Sequence, residues 1–208
     1  MGSADHLSRG DSMADGIAWF LQPYLIDCVT FARGAEPADL ASRLGARPGQ
    51  QPRWVSSDDV VGLLAGGGVG SAVRVGRVGD WSFAIEYGDA VGPTSTGMGA
   101  VSAMGVEAVN FSLSPWHPPS MFAYYHDGDC ICSFGMGEEA RRWGKSPDLL
   151  VPALTEMGVL PAQSDLRGAD AEHVRRLTVL VIEEHFRLQL PRADVLDGEL
   201  PMFIVREA

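Results

Sequence analysis

The sequence predicts an α+β domain, a mainly antiparallel sheet of about five or six strands with helices packed on one face. Three observations lead there. In the middle of the chain apolar residues alternate with polar or small ones at a period of two, as they do along half-buried strands. The segments on either side show helical spacing, so helices precede and follow the strands. At 208 residues the chain suits one hydrophobic core and does not require a second domain.

Residues 1–15 mix small, polar and charged types without periodicity and read as a flexible leader, with Met13 an alternative start and the domain running over 16–208. The stretch Trp19 to Phe31 ends in β-branched and aromatic residues before Gly34, and is taken as the first strand. Pro37 opens a short helix carrying Leu40 and Leu44, which Gly45 closes. Ser56-Ser57-Asp58-Asp59 supplies cap chemistry for a second helix, Val60 to Leu64, ended by Gly66-Gly67-Gly68.

From Ser71 the period becomes two. Val73 and Val75, a Gly79-Asp80 turn, then Trp81, Phe83 and Ile85 form a hairpin with one buried face. Residues 88–105 are glycine-rich and read as loop. Val109, Phe111 and Leu113 make a further strand, closed by Pro115, Pro118 and Pro119. Asp127-Gly128 between two strand-like runs favours a type I′ turn, whose central residues both need positive φ. A helix follows Ser146-Pro147, a longer one spans about Ala171 to Leu190, and Pro201 to Val205 is read as an edge strand.

Composition narrows the function classes. Twenty-seven acidic against sixteen basic residues give a formal charge of −11. Such a field repels a phosphate backbone and speeds association with cationic partners, so nucleic acid is not an expected partner. No window approaches the about 18 apolar residues of a membrane span, so no membrane is expected. The three cysteines are too few for a disulfide scaffold, and a cytoplasmic location is expected.

No motif names a reaction. Gly66 to Gly70 follows a helix and precedes a strand, the reverse of a phosphate loop, and lacks its Gly-Lys-Ser/Thr ending. Cys130 and Cys132, with thiols expected on one sheet face near His126, are possible zinc ligands, but their spacing is not Cys-x-x-Cys and no second pair exists. No metal and no cofactor are expected. His185 falls on the apolar helix face and reads as a core histidine, and no Gly-x-Ser-x-Gly elbow is present.

The candidate binding set is Arg33 after the first strand, Trp81 and Glu86 on the hairpin, His117 in a proline-rich loop, and Arg142 and Trp143 before a helix. Arginine anchors recognition through forked hydrogen bonds and stacking, tryptophan through rigid contact area. Each also has a structural role open to it: an arginine beside a glycine ties down a carbonyl, and Trp81 fits the buried register. These blocks, Cys28-Val29-Thr30-Phe31-Ala32-Arg33-Gly34, Ala38 to Ala46, Gly79 to Glu86 and Arg142-Trp143-Gly144, resemble an uncharacterised actinobacterial family of unknown function over about Trp19 to Leu160. That resemblance implies no activity, cofactor or catalytic residue.

The expectation is a non-catalytic binding or regulatory protein that engages a protein or small-molecule partner. Its acidity suits an immunity-like role against a cationic toxin. The alternative is a metal-independent accessory enzyme of cyclase or isomerase type, working through a pair among Glu86, His117, His126 and Asp127.

Overall fold

In a computed structural model, residues 15–22, 26–113, 119–160 and 169–207 are described. Apart from Asp15, the expected leader lies outside them, as does His117.

Among the described residues the sheet has eight strands, not five or six. They are β1 (Cys28–Arg33), β2 (Arg53–Val55), β3 (Ser71–Val78), β4 (Trp81–Gly88), β5 (Glu107–Ser112), β6 (Met121–His126), β7 (Asp129–Gly135) and β8 (Leu200–Arg206). The order is β2-β8-β3-β4-β1-β5-β6-β7, with every neighbouring pair antiparallel. β8 is therefore an interior strand, correcting the edge reading. The three-residue β2, too short to show a period, takes the edge outside it.

The helices are α1 (Pro37–Arg43), α2 (Ser57–Ala65), α3 (Ser95–Ser102), α4 (Val151–Glu156), α5 (Ala169–Phe186) and α6 (Arg192–Leu196). The helix α3 falls inside the stretch read as loop. Thr94 caps it by accepting a hydrogen bond from Gly97 N at 2.9 Å, and three of its buried residues, Gly97, Met98 and Val101, face the core.

Helices cover both faces, not one. On one face Val29, Phe31, Trp81, Phe83, Ile85, Val109, Phe111 and Phe122 pack under α4, α5 and α6. On the other, Ala32, Ala84, Ala108, Val73 and Val75 pack under α1 and α3. In sequence the second face looks like a solvent face because its central positions are Ala, Ser, Thr, Asn and Glu. The alanines among them are short, so the helices can approach closely.

The turn chemistry is as the residues dictate. Asp127 and Gly128 both take positive φ, 49° and 84°. Ser56 and Asp59 form a reciprocal capping box at the start of α2. α5 ends four residues before Leu190. Arg187 adopts φ 55° where glycine is usual, while Leu188 N donates to Glu183 O and Arg187 N to Glu184 O, a Schellman closure.

Candidate functional site

Arg33 ends β1 directly opposite Trp81 on β4 and Glu107 on β5. Its guanidinium lies 5.0 Å over the Trp81 ring and pairs with the Glu107 carboxylate. Trp81 is buried, and its Nε1–H donates to Phe186 O at 3.0 Å, which ties the end of α5 to the sheet. The ring thus acts as a platform from below while Arg33 remains exposed above it.

The same register carries a charged row across five strands: Trp81, Arg33, Glu107, His126 and Asp129 are successive cross-strand partners. Lys145 closes it with an ion pair to Asp129 at 2.5 Å. Tyr124 stands two positions inside the row, on the same face, and packs on Phe186, ring centroids 4.7 Å apart. Burial, and the nearby Glu107 charge, raise its phenol pKa against the opposing pull of Arg33.

Beside Arg33 and Trp81 the surface dips into a cleft of about 280 Å³ lined also by Asp80, His185, Arg187 and Gln189. Among the described residues Arg187 makes no ion pair. His185 is exposed at this rim rather than a core residue, because it lies in the last turn of α5. Its ring meets Phe186 edge-on at 4.7 Å, and the partial loss of water there lowers its pKa. The Arg187 cation also sits at the negative end of the α5 dipole, which stabilises it with or without a ligand.

Glu86 is separate. It occupies the other end of β4, five rows from Arg33, about 17 Å along the strand, and on the opposite face. Its carboxylate is held internally: Oε1 accepts from Cys28 Sγ at 3.1 Å and Thr30 Oγ1 at 3.0 Å, and Oε2 from Val91 N at 2.7 Å and Gly92 N at 3.0 Å. Asn110 completes the cluster by donating to Thr30 Oγ1 at 2.9 Å. Burial and the Glu86 charge push the Cys28 thiol pKa well up.

Arg142 and Trp143 form a third location, against the edge strand β7. Trp143 exchanges both backbone hydrogen bonds with Ser133 at 2.9 Å, and Lys145 N and Ser146 N donate to Cys130 O and Ile131 O. This segment therefore covers the edge that would otherwise be open to another chain. Arg142 donates to Asp148 and to Glu139 O, while Trp143 is 49% exposed.

The thiol pair is not on one face. β7 pairs Cys132 with Tyr124 and Cys130 with Tyr125, so Ile131 is the extra residue of a bulge. Cys132 joins the α5-side core, whereas Tyr125, the partner of Cys130, packs with the α1-side core. Among the described residues no cluster of three or more metal-ligating side chains occurs, and no helix is long and apolar enough to cross a membrane.

Of the six residues singled out from sequence, the fold brings Arg33 and Trp81 together and leaves Glu86, Arg142 and Trp143 apart. Glu107 was missed although its phase with Val109 and Phe111 places it on the Arg33 face. Arg187 carries no local signal, since it is defined by where α5 stops.

Of the acid/base candidates, His117 lies outside the described residues and the other three divide between the two ends of the sheet. His126 and Asp127 lie at the Arg33 end of the sheet, while Glu86 lies at the other. No curated protein and no solved structure matches the chain. A family model does match, over residues 18–186, and the chain belongs to that family, the family of unknown function DUF6461.

Proposed function

We propose that this chain is a non-catalytic binding or regulatory protein that engages a protein or small-molecule partner through the Arg33 end of its sheet. The observation that carries the reading is the fixed Arg33 guanidinium, stacked on Trp81 and braced by Glu107 beside a polar cleft. An exposed arginine ordinarily loses side-chain entropy when it binds. Here stacking and pairing have already removed much of that freedom, so a partner's carboxylate or carbonyl meets a fork held in place. Trp81 supports Arg33 without needing to be exposed itself. Arg187, which has no carboxylate committed to it among the described residues, supplies a second cation at the same cleft.

The test is retention of a partner from an extract of the native cells at low salt, with wild-type protein and a folded Arg33→Ala variant run side by side. A species retained by the first and lost from the second supports the reading. Retention of the same species by both, or of none by wild type, counts against it.

A further inference from the structure

The cleft beside Arg33, of about 280 Å³, is lined by charges of both signs that do not neutralise one another. Arg33 is matched by Glu107 and held against Trp81. Asp80, in the turn between β3 and β4, and Arg187, just past the end of α5, also line the cleft. Among the described residues no cation lies within 4 Å of the Asp80 carboxylate and no carboxylate within 4 Å of the Arg187 guanidinium. One positive and one negative pole therefore open onto the same concavity.

The main chain fixes where these poles start. Trp81 follows Asp80 and Phe186 precedes Arg187, and the Trp81 Nε1–H bond to Phe186 O at 3.0 Å ties the two segments together. The sum of the charges matters as much as their placement. Arg33 and Arg187 balance Glu107 and Asp80, and His185 favours its neutral form at pH 7 because partial loss of water lowers its pKa. Without net charge the cleft does not gather a simple anion or a simple cation, whereas a molecule that carries both charges meets both poles. The volume lies just under the about 300–1,000 Å³ of drug-sized sites, which suits a ligand of few atoms.

We infer that this cleft takes a small zwitterion of the amino-acid kind, its carboxylate between Arg187 and the N–H groups of Arg33 that Glu107 leaves free, and its ammonium toward Asp80. The half-buried Val78 gives the ligand's side chain an apolar contact. The inference rests on the reading of the Arg33 end as the contact surface and names the small molecule met there.

Backbone amide shifts of the full-length protein, titrated with L-valine, test it. The controls are isovalerate, which lacks the ammonium, and isobutylamine, which lacks the carboxylate. L-valine should give saturable shifts at Gly79, Trp81 and Arg187 in the about millimolar range expected for so few atoms, and each control should bind at least about fivefold more weakly. Both poles are exposed, so their variants should fold as wild type does. Asp80→Asn should weaken L-valine about fivefold and leave isovalerate no weaker, while Arg187→Gly should weaken L-valine and isovalerate and spare isobutylamine. A general disturbance of the fold would not sort the ligands by charge in this way. Tighter binding of L-valylglycine assigns the zwitterion to a short peptide and weaker binding assigns it to a free amino acid, and both support the inference. Shifts from isovalerate or isobutylamine equal to those from L-valine, or an Asp80→Asn variant that weakens L-valine and isovalerate alike, overturn it. No L-valine binding, with an extract partner still lost from Arg33→Ala, overturns this inference and leaves the contact surface standing. L-valine binding with no partner retained by wild type does the reverse.

Discussion

Arg33 and Trp81 face each other across β1 and β4, with the guanidinium 5.0 Å above a ring whose own N–H closes the end of α5. One tryptophan therefore serves core and surface at once, and the two roles separate by substitution. Trp81→Ala should destabilise the fold by about 3–5 kcal/mol, as large aromatic truncations do. Trp81→Phe should cost roughly 1–2 kcal/mol for the lost bond to Phe186 O. Arg33→Ala, an exposed pair, should cost less than about 1 kcal/mol. Urea unfolding of the three variants gives the ranking.

Arg187 takes a left-handed conformation at the end of α5. Arg187→Gly should stabilise the protein by about 0.5–1 kcal/mol, the relief of backbone strain less the entropy glycine retains when unfolded. The same change should weaken partner binding. A variant that is more stable and binds less well, read by thermal melting and by retention, shows that the arginine is kept for contact.

Gly92 lies over the Glu86 cluster. A Cβ there would stand 2.5 Å from Thr30 Oγ1, 2.8 Å from Asn110 Nδ2 and closer still to Glu86 Oε1. Gly92→Ala should cost about 1–3 kcal/mol through overpacking, measured by urea unfolding. Gly79→Ala meets no atom, yet its positive φ of 55° still carries strain, so it should cost less, about 1 kcal/mol.

The buried thiols set an alkaline limit. Burial raises the Cys132 pKa to about 11 from an ordinary value of 9.0, and Cys28 shifts the same way. Above pH 9 the unfolded chain loses these protons while the folded chain keeps them, so the unfolded state gains. Stability should be flat in this contribution below pH 9 and fall as pH rises toward 11. Cys132→Ala should shallow that slope in urea unfolding measured from pH 8 to 10.5.

Much of the architecture was legible in the residues. The alternation of Trp81, Phe83 and Ile85, the Asp127-Gly128 turn and the Ser56–Asp59 cap are local signals, and each appears where the residues place it. The second helix layer was not legible, because Ala32, Ala84 and Ala108 look the same under a helix as on a modest polar face. The bulge at Ile131 shifts the register without changing composition, so the thiols looked coplanar. β8 gave itself away as a strand, but its interior place depends on β2, whose three residues hold no period. At the site, Arg33 and Trp81 announced their type. Their meeting with Glu107 depends on cross-strand register that only the folded sheet supplies.

The central claim is that a fixed Arg33 is the contact point for a partner. Its most direct measurement is the affinity of that partner, once retained from native cells, for wild-type protein, Arg33→Lys and Arg33→Ala at equal ionic strength. The account predicts at least tenfold weaker binding for alanine, with lysine closer to alanine than to wild type, since lysine keeps the charge and loses the fork. Equal affinity for all three folded proteins would contradict it.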